Sequence, residues 1–441
     1  MRIPALVLTA ALTATLPLSA SAVTLAESGL RVVTTGLDGP YEITLGPDGF
    51  IWTTEKSGLR VLRIDPRTGE KHVAATITDA VHTSQDGVLG MALRLPHVFL
   101  AYTYDSDPGP ALQRRTKIVR FTAVDGLLRD PVDVIAGLPG GTDHQSARLV
   151  LGPDTKLYYT IGDQGANQFS QMCQPIEAQR LPVAAEVRAK DWSAYRGKVL
   201  RLNLDGSIPA DNPVLDGVRS HVYTYGHRNA QGLVFGPTGI LYSSEQGPKT
   251  DDEVNVIARG KNYGWPHVAG YRDDKAYVYG NWSAAPDCAD LDYSDFVIPP
   301  SVPQTTESSW QSSFVPPIRT FHTVPSSHDF TDEKCAEDEQ WYICWPTVAP
   351  ASLDYARGSL LMPALKDGTV HRLRLSHDGT RVSSVEPLFR TVNRYRDTAV
   401  SPDGKTVYVA TDSVGQTRDA DGKPTDVLAN PGSILEFKLD S

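Results

Sequence analysis

One short unit recurs four times in the chain and limits its fold more than any other feature. Leu45-Gly46-Pro47-Asp48-Gly49 leads into Phe50-Ile51-Trp52-Thr53-Thr54-Glu55, and Leu151-Gly152-Pro153-Asp154 leads into an apolar run that ends at Gly162-Asp163. Phe235-Gly236-Pro237-Thr238-Gly239 precedes Ile240-Leu241-Tyr242-Ser243-Ser244-Glu245, and Ser401-Pro402-Asp403-Gly404 precedes Val407-Tyr408-Val409-Ala410-Thr411-Asp412. Each copy is a proline-containing turn followed by a β-branched and aromatic strand that ends on an acid. Between the copies lie further short alternating runs, such as 198–204 and 369–375, and amphipathic helical stretches are few. The class is therefore all-β. A radial array of four-stranded blades satisfies the pattern, because each sheet buries its faces on its neighbours and insertions project as loops from one end. A pair of β-sandwiches is the rival. Unequal spacing of Pro47, Pro153, Pro237 and Pro402 predicts further units that lack this turn or carry insertions. The stretch 271–345, rich in Asp, Ser, Pro and aromatics and without alternation, reads as the largest insertion; a loop that long is usually functional, with surface decoration as the alternative.

With 40% hydrophobic and 21% charged residues, the 441-residue chain can bury a sizeable core, which excludes intrinsic disorder. Its 42 basic against 52 acidic residues give a formal charge of −10, so no nucleic-acid partner is expected. An anionic small ligand must find a local cluster of cations. Residues 1–22 read as a signal peptide: Arg2, an apolar stretch over 3–18, then Ala20-Ser21-Ala22 as a cleavage site. The remainder, 23–441, is expected to form a single β-propeller domain, and no later apolar run is long enough to span a membrane. The protein is thus expected to be exported, to a periplasm or outside the cell, where disulfides form. Cys335 and Cys344 flank a short polar loop and make the local bridge. Cys173 and Cys288 are either a long-range bridge or two free thiols.

Three regions carry candidate chemistry. Asp143-His144-Gln145-Ser146 sits just before a strand, and the next strand ends at Gly162-Asp163-Gln164-Gly165, so hairpin geometry brings Asp163 toward His144. A carboxylate on one imidazole nitrogen fixes the tautomer and leaves the other as a base; a structural histidine is the bland alternative. Gly226-His227-Arg228-Asn229 ends a strand with a guanidinium beside an amide, and Ser244-Glu245-Gln246-Gly247-Pro248 precedes Asp251-Asp252-Glu253. The carbonyls of Gly247 and Pro248 suit a hard cation such as Ca²⁺, with a solvated acidic turn as the alternative. Downstream lie Lys366, Arg394 and Arg396. Arg-x-Arg at strand spacing places both guanidinium groups on one face, where a polycarboxylate or a surface acid can accept them.

Taken together and in this order, these runs closely resemble the soluble, pyrroloquinoline quinone (PQQ)-dependent glucose dehydrogenases, six-bladed β-propeller aldose dehydrogenases. Further matching segments are Gly197-Lys198-Val199-Leu200-Arg201-Leu202-Asn203-Leu204-Asp205-Gly206, Asn262-Tyr263-Gly264-Trp265-Pro266, Tyr342-Ile343-Cys344-Trp345-Pro346-Thr347, Asn393-Arg394-Tyr395-Arg396-Asp397 and Asn430-Pro431-Gly432-Ser433. The resemblance runs from about Leu37 to the C-terminus and implies a six-bladed propeller with long inserted loops on the active-site face. It implies that His144 takes the proton of the sugar C1 hydroxyl while hydride passes to PQQ, that Asp163 orients His144, and that Arg228 stabilises charge on the quinone. Gln85 and Asp143 would contact the sugar, and Tyr342 and Trp345 would wall it. Asn229, Thr347, Lys366, Arg394 and Arg396 would clamp the cofactor, and Gly247 and Pro248 would hold its Ca²⁺.

Asp273 marks a possible structural calcium, although Ser309 stands where the family pattern has an acid, and the Cys173 and Cys288 pair is an addition to that pattern. An aldose substrate, an electron acceptor that the sequence does not identify and a homodimer follow from the resemblance. The rival readings are a calcium-dependent propeller lactonase, which has no use for the Arg228, Lys366, Arg394 and Arg396 cluster, and a non-catalytic sugar-binding propeller.

Overall fold

The computed structural model describes residues 29–107, 109–336 and 340–439, so the expected signal peptide lies outside the described residues. Six four-stranded antiparallel sheets follow one another in chain order as the blades of a propeller. Their innermost strands are Pro40–Leu45, Val88–Arg94, Ser146–Leu151, Ala230–Phe235, Asp354–Ala356 and Tyr395–Val400. The ring closes by a strand exchange between the chain ends: Arg31–Thr34 is the outermost strand of the sixth blade, paired with Ile434–Lys438.

The four repeat copies are the hairpins between first and second strands of blades one, three, four and six. Blades two and five escaped the pattern because their hairpins are tighter. In blade five Arg357 and Gly358, at φ +47° and +77°, form the whole connection between Asp354–Ala356 and Ser359–Pro363. Blade two runs from Val88–Arg94 directly through Leu95 and Pro96 into His97–Asp105.

Six apolar clusters, one between each pair of neighbouring blades, explain why the strands read as nearly continuous hydrophobic runs. Tyr159 packs toward Phe99 and Ile118 of the second blade, while Tyr158, one residue earlier and therefore on the opposite face, packs toward Leu233 and Leu241 of the fourth. Ile43 and Ile51 of the first blade meet Ala410 and Ile434 of the last, which seals the ring.

The stretch 271–345 is not one insertion. It contains Arg319–Phe321, the outermost strand of the fourth blade, paired with Asp252–Ile257. Three residues are too few to show alternation, so this strand was invisible in the sequence. It divides the region into an excursion over 258–318 and a connection over 322–353. The loop 162–197 is a third excursion, anchored by the buried Lys198, whose ammonium donates to the carbonyls of Glu177, Ala178 and Arg196 at 2.7–2.9 Å. Both cysteine pairs are bonded: Cys335 to Cys344, and Cys173 to Cys288 across 115 residues, with the second tying 162–197 to 258–318. Among the described residues no helix is long and apolar enough to cross a membrane.

Candidate active site

The repeat that defines the blades also builds the site. In each hairpin the second strand runs antiparallel to the innermost one, so the acid that ends it lies beside the residues that begin the innermost strand. Asp163 Oδ1 accepts from His144 Nδ1 at 2.6 Å. Glu245 accepts from His227 Nδ1 at 2.9 Å and from the Arg228 backbone N–H. Asp412 accepts from Arg394 Nε at 3.0 Å and from Arg396 Nε and Nη2 at 2.8 Å each. At the same end, five of the six innermost strands break register with their partners, between Pro40 and Ile43, Val88 and Met91, Ser146 and Leu149, Ala230 and Gly232, and Tyr395 and Asp397. Such bulges re-aim side chains. His144 itself sits at φ +39°, followed by Ser146 and Ala147 at +55° and +67°, which is a costly backbone for non-glycine residues. Gly162 permits this approach, since a Cβ there would lie 1.9 Å from the His144 carbonyl oxygen.

Asp163 is fully engaged. Besides the imidazole it accepts from Trp265 Nε1 at 2.9 Å and from the Gly165 N–H at 2.9 Å. With Nδ1–H directed at Asp163, His144 Nε2 is the acceptor nitrogen, and Gln168 Nε2 lies 3.4 Å from it. Asp143 accepts from Gln85 Nε2 at 2.8 Å, from the His144 N–H at 2.9 Å and from Gln168 Nε2 at 3.0 Å. Burial raises the Asp143 carboxyl, but His144, its N–H and Arg228 outweigh that and hold it below the ordinary value.

Two adjoining cavities meet at these groups. One, of about 540 Å³, is lined by Lys56, Gln85, Ser146, Lys366, Arg394 and Arg396. The other, of about 820 Å³, is lined by His144, Arg228, Trp265, Tyr293, Tyr342 and Trp345. Six cations, Lys56, Arg228, Lys249, Lys366, Arg394 and Arg396, thus line the two cavities in a protein of net negative charge. Burial pushes the Lys366 ammonium down to about 7, opposed by Asp252, with Arg418, Arg228 and Arg394 adding to the depression. Lys366 Nζ also bonds Thr347 Oγ1. Arg396 and Arg394 hold the buried Asp412 far below its ordinary value against the opposing effect of burial. Asn229 is fixed by Ser146 Oγ at 3.0 Å and Gln231 Nε2 at 2.9 Å, and donates to Gln246 Oε1 at 3.1 Å.

Arg228 Nη1 donates to the carbonyls of Gln246 and Gly247 at 3.1 and 2.9 Å, while its buried Nε has no hydrogen-bond partner among the described residues, and its guanidinium lies 5.5 Å from the Trp265 ring. The Gly247 N–H is held by Asp252 Oδ1 at 2.9 Å, and a Cβ at Gly247 would meet the Thr250 carbonyl oxygen at 2.1 Å. A guanidinium N–H without a partner among the described residues, an ammonium depressed by burial and two arginines on one carboxylate fit a polyanionic ligand. Gly247 and Pro248 line the same wall with main-chain oxygens, donors of the kind a hard cation takes.

The carboxylate of Asp273, the residue read as marking a possible structural calcium, pairs with Lys275 at 3.0 Å. A residue that sequence reasoning passed over organises that turn. Glu307 is buried, accepts from the N–H groups of Ala269, Asp273 and Asp274 at 3.0–3.1 Å, and is pushed up to about 7 by burial. Lys56 and Gln168 were also missed. Lys56 follows the acid that ends the first repeat, a positional signal available in the sequence. Gln168 carries no such mark, because a loop brings it to His144.

An imidazole oriented by a carboxylate, next to a cavity that gathers cations, is suited to taking a proton from a hydroxyl beside a bound anion, which places the protein among propeller enzymes. A family model described as glucose/sorbosone dehydrogenase matches residues 37–312. The chain is 44% identical over 432 residues to quinoprotein glucose dehydrogenase B of Acinetobacter calcoaceticus, covering 92% of this chain and 90% of that protein. It is 28% identical over 400 residues to the aldose sugar dehydrogenase YliI of Escherichia coli strain K12, covering 88% and 91%. The solved PQQ-bound aldose sugar dehydrogenase of Streptomyces coelicolor shares the fold at a TM-score of 0.63 and 24% identity, over 93% of this chain and 97% of that one. The chain belongs to the glucose/sorbosone dehydrogenase family and is an oxidoreductase of its PQQ-dependent aldose dehydrogenase type.

Proposed function

We propose that this protein is an exported enzyme that oxidises the C1 hydroxyl of glucose and related aldoses to the lactone, with His144 as the base. The hydrogen bond from His144 Nδ1 to Asp163 at 2.6 Å carries the reading, because it leaves Nε2 able to accept a proton in the cleft. A bound PQQ with Ca²⁺ would supply the hydride acceptor and the Lewis acid of this reaction.

The chain's own residues do the rest. Asp163, locked by Trp265 and Gly165, holds the imidazole plane and stabilises the imidazolium as the proton arrives. Gln85 and Asp143, already bonded to each other, offer a donor and an acceptor for sugar hydroxyls, and Gln168 joins them. Tyr342 and Trp345 wall the sugar, with the Tyr342 hydroxyl tethered to Gln416 Oε1 at 3.1 Å. Lys366, Thr347, Asn229, Arg394 and Arg396 are assigned to the carboxylates and polar edge of the cofactor, Arg228 to the oxygen where negative charge develops, and the carbonyls of Gly247 and Pro248 to Ca²⁺.

Reconstitution tests this. Adding PQQ and Ca²⁺ to metal-stripped protein should produce glucose-dependent dye reduction, and His144→Ala should lower kcat by about 10²–10⁴-fold while PQQ still binds. Folded protein that stays silent with every aldose would reject the reading, and full turnover in His144→Ala would remove His144 from it.

A further inference from the structure

Arg418 lies outside the groups discussed above, in the short ribbon of Thr417–Arg418 paired with Pro424–Thr425. It is largely buried, and every bond its guanidinium makes among the described residues goes to a main-chain carbonyl. Nε donates to Ile343 O at 2.8 Å, and Nη2 donates to Trp345 O at 2.8 Å and Thr347 O at 3.0 Å. Its own backbone N–H donates to Lys366 O at 2.8 Å. One residue therefore grips the turn that presents Trp345 and Thr347 and, at the same time, the strand end that presents Lys366.

We propose that Arg418 is a positioning residue of the active site, setting the turn at 343–347 so that Trp345 and the Thr347–Lys366 pair stand where the sugar and the anionic cofactor meet. The inference rests on the functional reading above. The local chemistry requires such a clamp. The helix Trp341–Cys344 has a single turn, and the Trp345 N–H caps its Trp341 carbonyl, while the Ile343 carbonyl at its end and the Trp345 and Thr347 carbonyls beyond it accept from Arg418. A planar guanidinium can serve several of them at once, whereas an ammonium on a single point cannot match that fork. Trp345 Nε1 is buried without a hydrogen-bond partner among the described residues, so no hydrogen bond of its own side chain fixes its place. Thr417 Oγ1 donates to Asn393 O at 3.1 Å, next to Arg394, which connects the ribbon to the remaining cations of the clamp. The carboxylates of Asp367 and Asp252 act on the guanidinium without a hydrogen bond to it among the described residues, and it is among the groups that depress Lys366.

Two measurements on ligand-free protein decide the matter: tryptophan-fluorescence titration with PQQ, and amide exchange over 341–347. Arg418→Gln should weaken PQQ binding and raise the KM for glucose by about tenfold each, speed exchange at 343–347, and leave kcat at saturation within about threefold. Arg418→Lys should recover only part of that loss, with PQQ binding still at least about threefold weaker than wild type and exchange at 343–347 still faster. A Gln variant that melts earlier yet keeps wild-type PQQ affinity, glucose KM and exchange would overturn the proposal and leave Arg418 a merely structural residue. Should the Gln variant not fold, Arg418→Lys carries the test alone: faster exchange at 343–347 with weaker PQQ binding supports the role, and wild-type values in both reject it. Wild-type protein that takes up no PQQ would sink the functional reading itself, and amide exchange would still report whether Arg418 holds the turn.

Discussion

Lys366 sets how the site answers to pH. With burial pushing its ammonium down to about 7, the proton is lost as pH rises through neutrality. Between that value and the ordinary lysine range the unfolded chain binds one more proton than the folded one, so this residue makes stability rise with pH across the window. Ligand binding has the opposite sign, because carboxylates favour the charged ammonium. PQQ affinity should fall as pH rises above 7, and calorimetry at about pH 8 in buffers of different ionisation enthalpy should show proton uptake that Lys366→Met abolishes. A pH-independent affinity would place Lys366 outside the contact. The pairing of His144 with Asp163 was legible because both sit at strand ends one hairpin apart. Gln168 was not, since its place beside His144 depends on a loop closed by a distant disulfide.

Among the elements, the loops contribute most to the sugar site. Cys173 and Cys288 fasten the turn that bears Gln168 and Phe169 to the excursion that bears Trp282 and Tyr293. Asn167 adds bonds to the Gly280 carbonyl at 2.8 Å and from the Ser283 N–H at 3.0 Å, and Phe169 meets Tyr293 at 4.9 Å between ring centroids. Closing 115 residues removes chain entropy worth about 4–5 kcal/mol from the unfolded state. The joint substitution Cys173→Ser and Cys288→Ser should raise the glucose KM by about three- to tenfold with kcat changed less than about twofold, since the bond shapes the wall and not the base. An unchanged KM would make the bridge a stability device alone. The blade hairpins show the opposite case. They were readable because turn and strand chemistry is local, while the bulges at their inner ends arise from packing around the axis and leave no mark in the sequence.

At the scale of the whole molecule, the six innermost strands enclose a buried ionic cluster below the site. Arg148 donates to Glu42 Oε2 at 2.5 Å, to the Gln231 carbonyl at 2.9 Å and to the Ala351 carbonyl at 3.0 Å, and lies 3.3 Å from Asp397. One guanidinium cannot compensate three buried carboxyls. Asp354, bonded to Thr398 Oγ1 at 3.2 Å, is pushed up to about 8, by burial first and then by Asp397. Folded protein therefore holds a proton there that unfolded chain has released, so stability falls as pH rises from about 5 toward 8. Asp354→Asn keeps the shape without the titration, and its melting temperature should vary less over that interval than that of wild type. Equal slopes in thermal melts of the two proteins would show that Asp354 is ionised throughout.

The sequence by itself determined the class of fold, the hairpins of four blades, the pairing of His144 with Asp163, and the identity of the cations, because each follows from local turn chemistry, strand alternation or a contiguous motif. Tertiary structure alone decided how Lys56, Arg228, Lys366, Arg394 and Arg396 come to line two adjoining cavities, that the strand Arg319–Phe321 divides the long insertion, and that Arg418 grips the wall of the site. These depend on closing a ring whose ends are strands four hundred residues apart, and closure places side chains by packing between blades, which no single segment encodes.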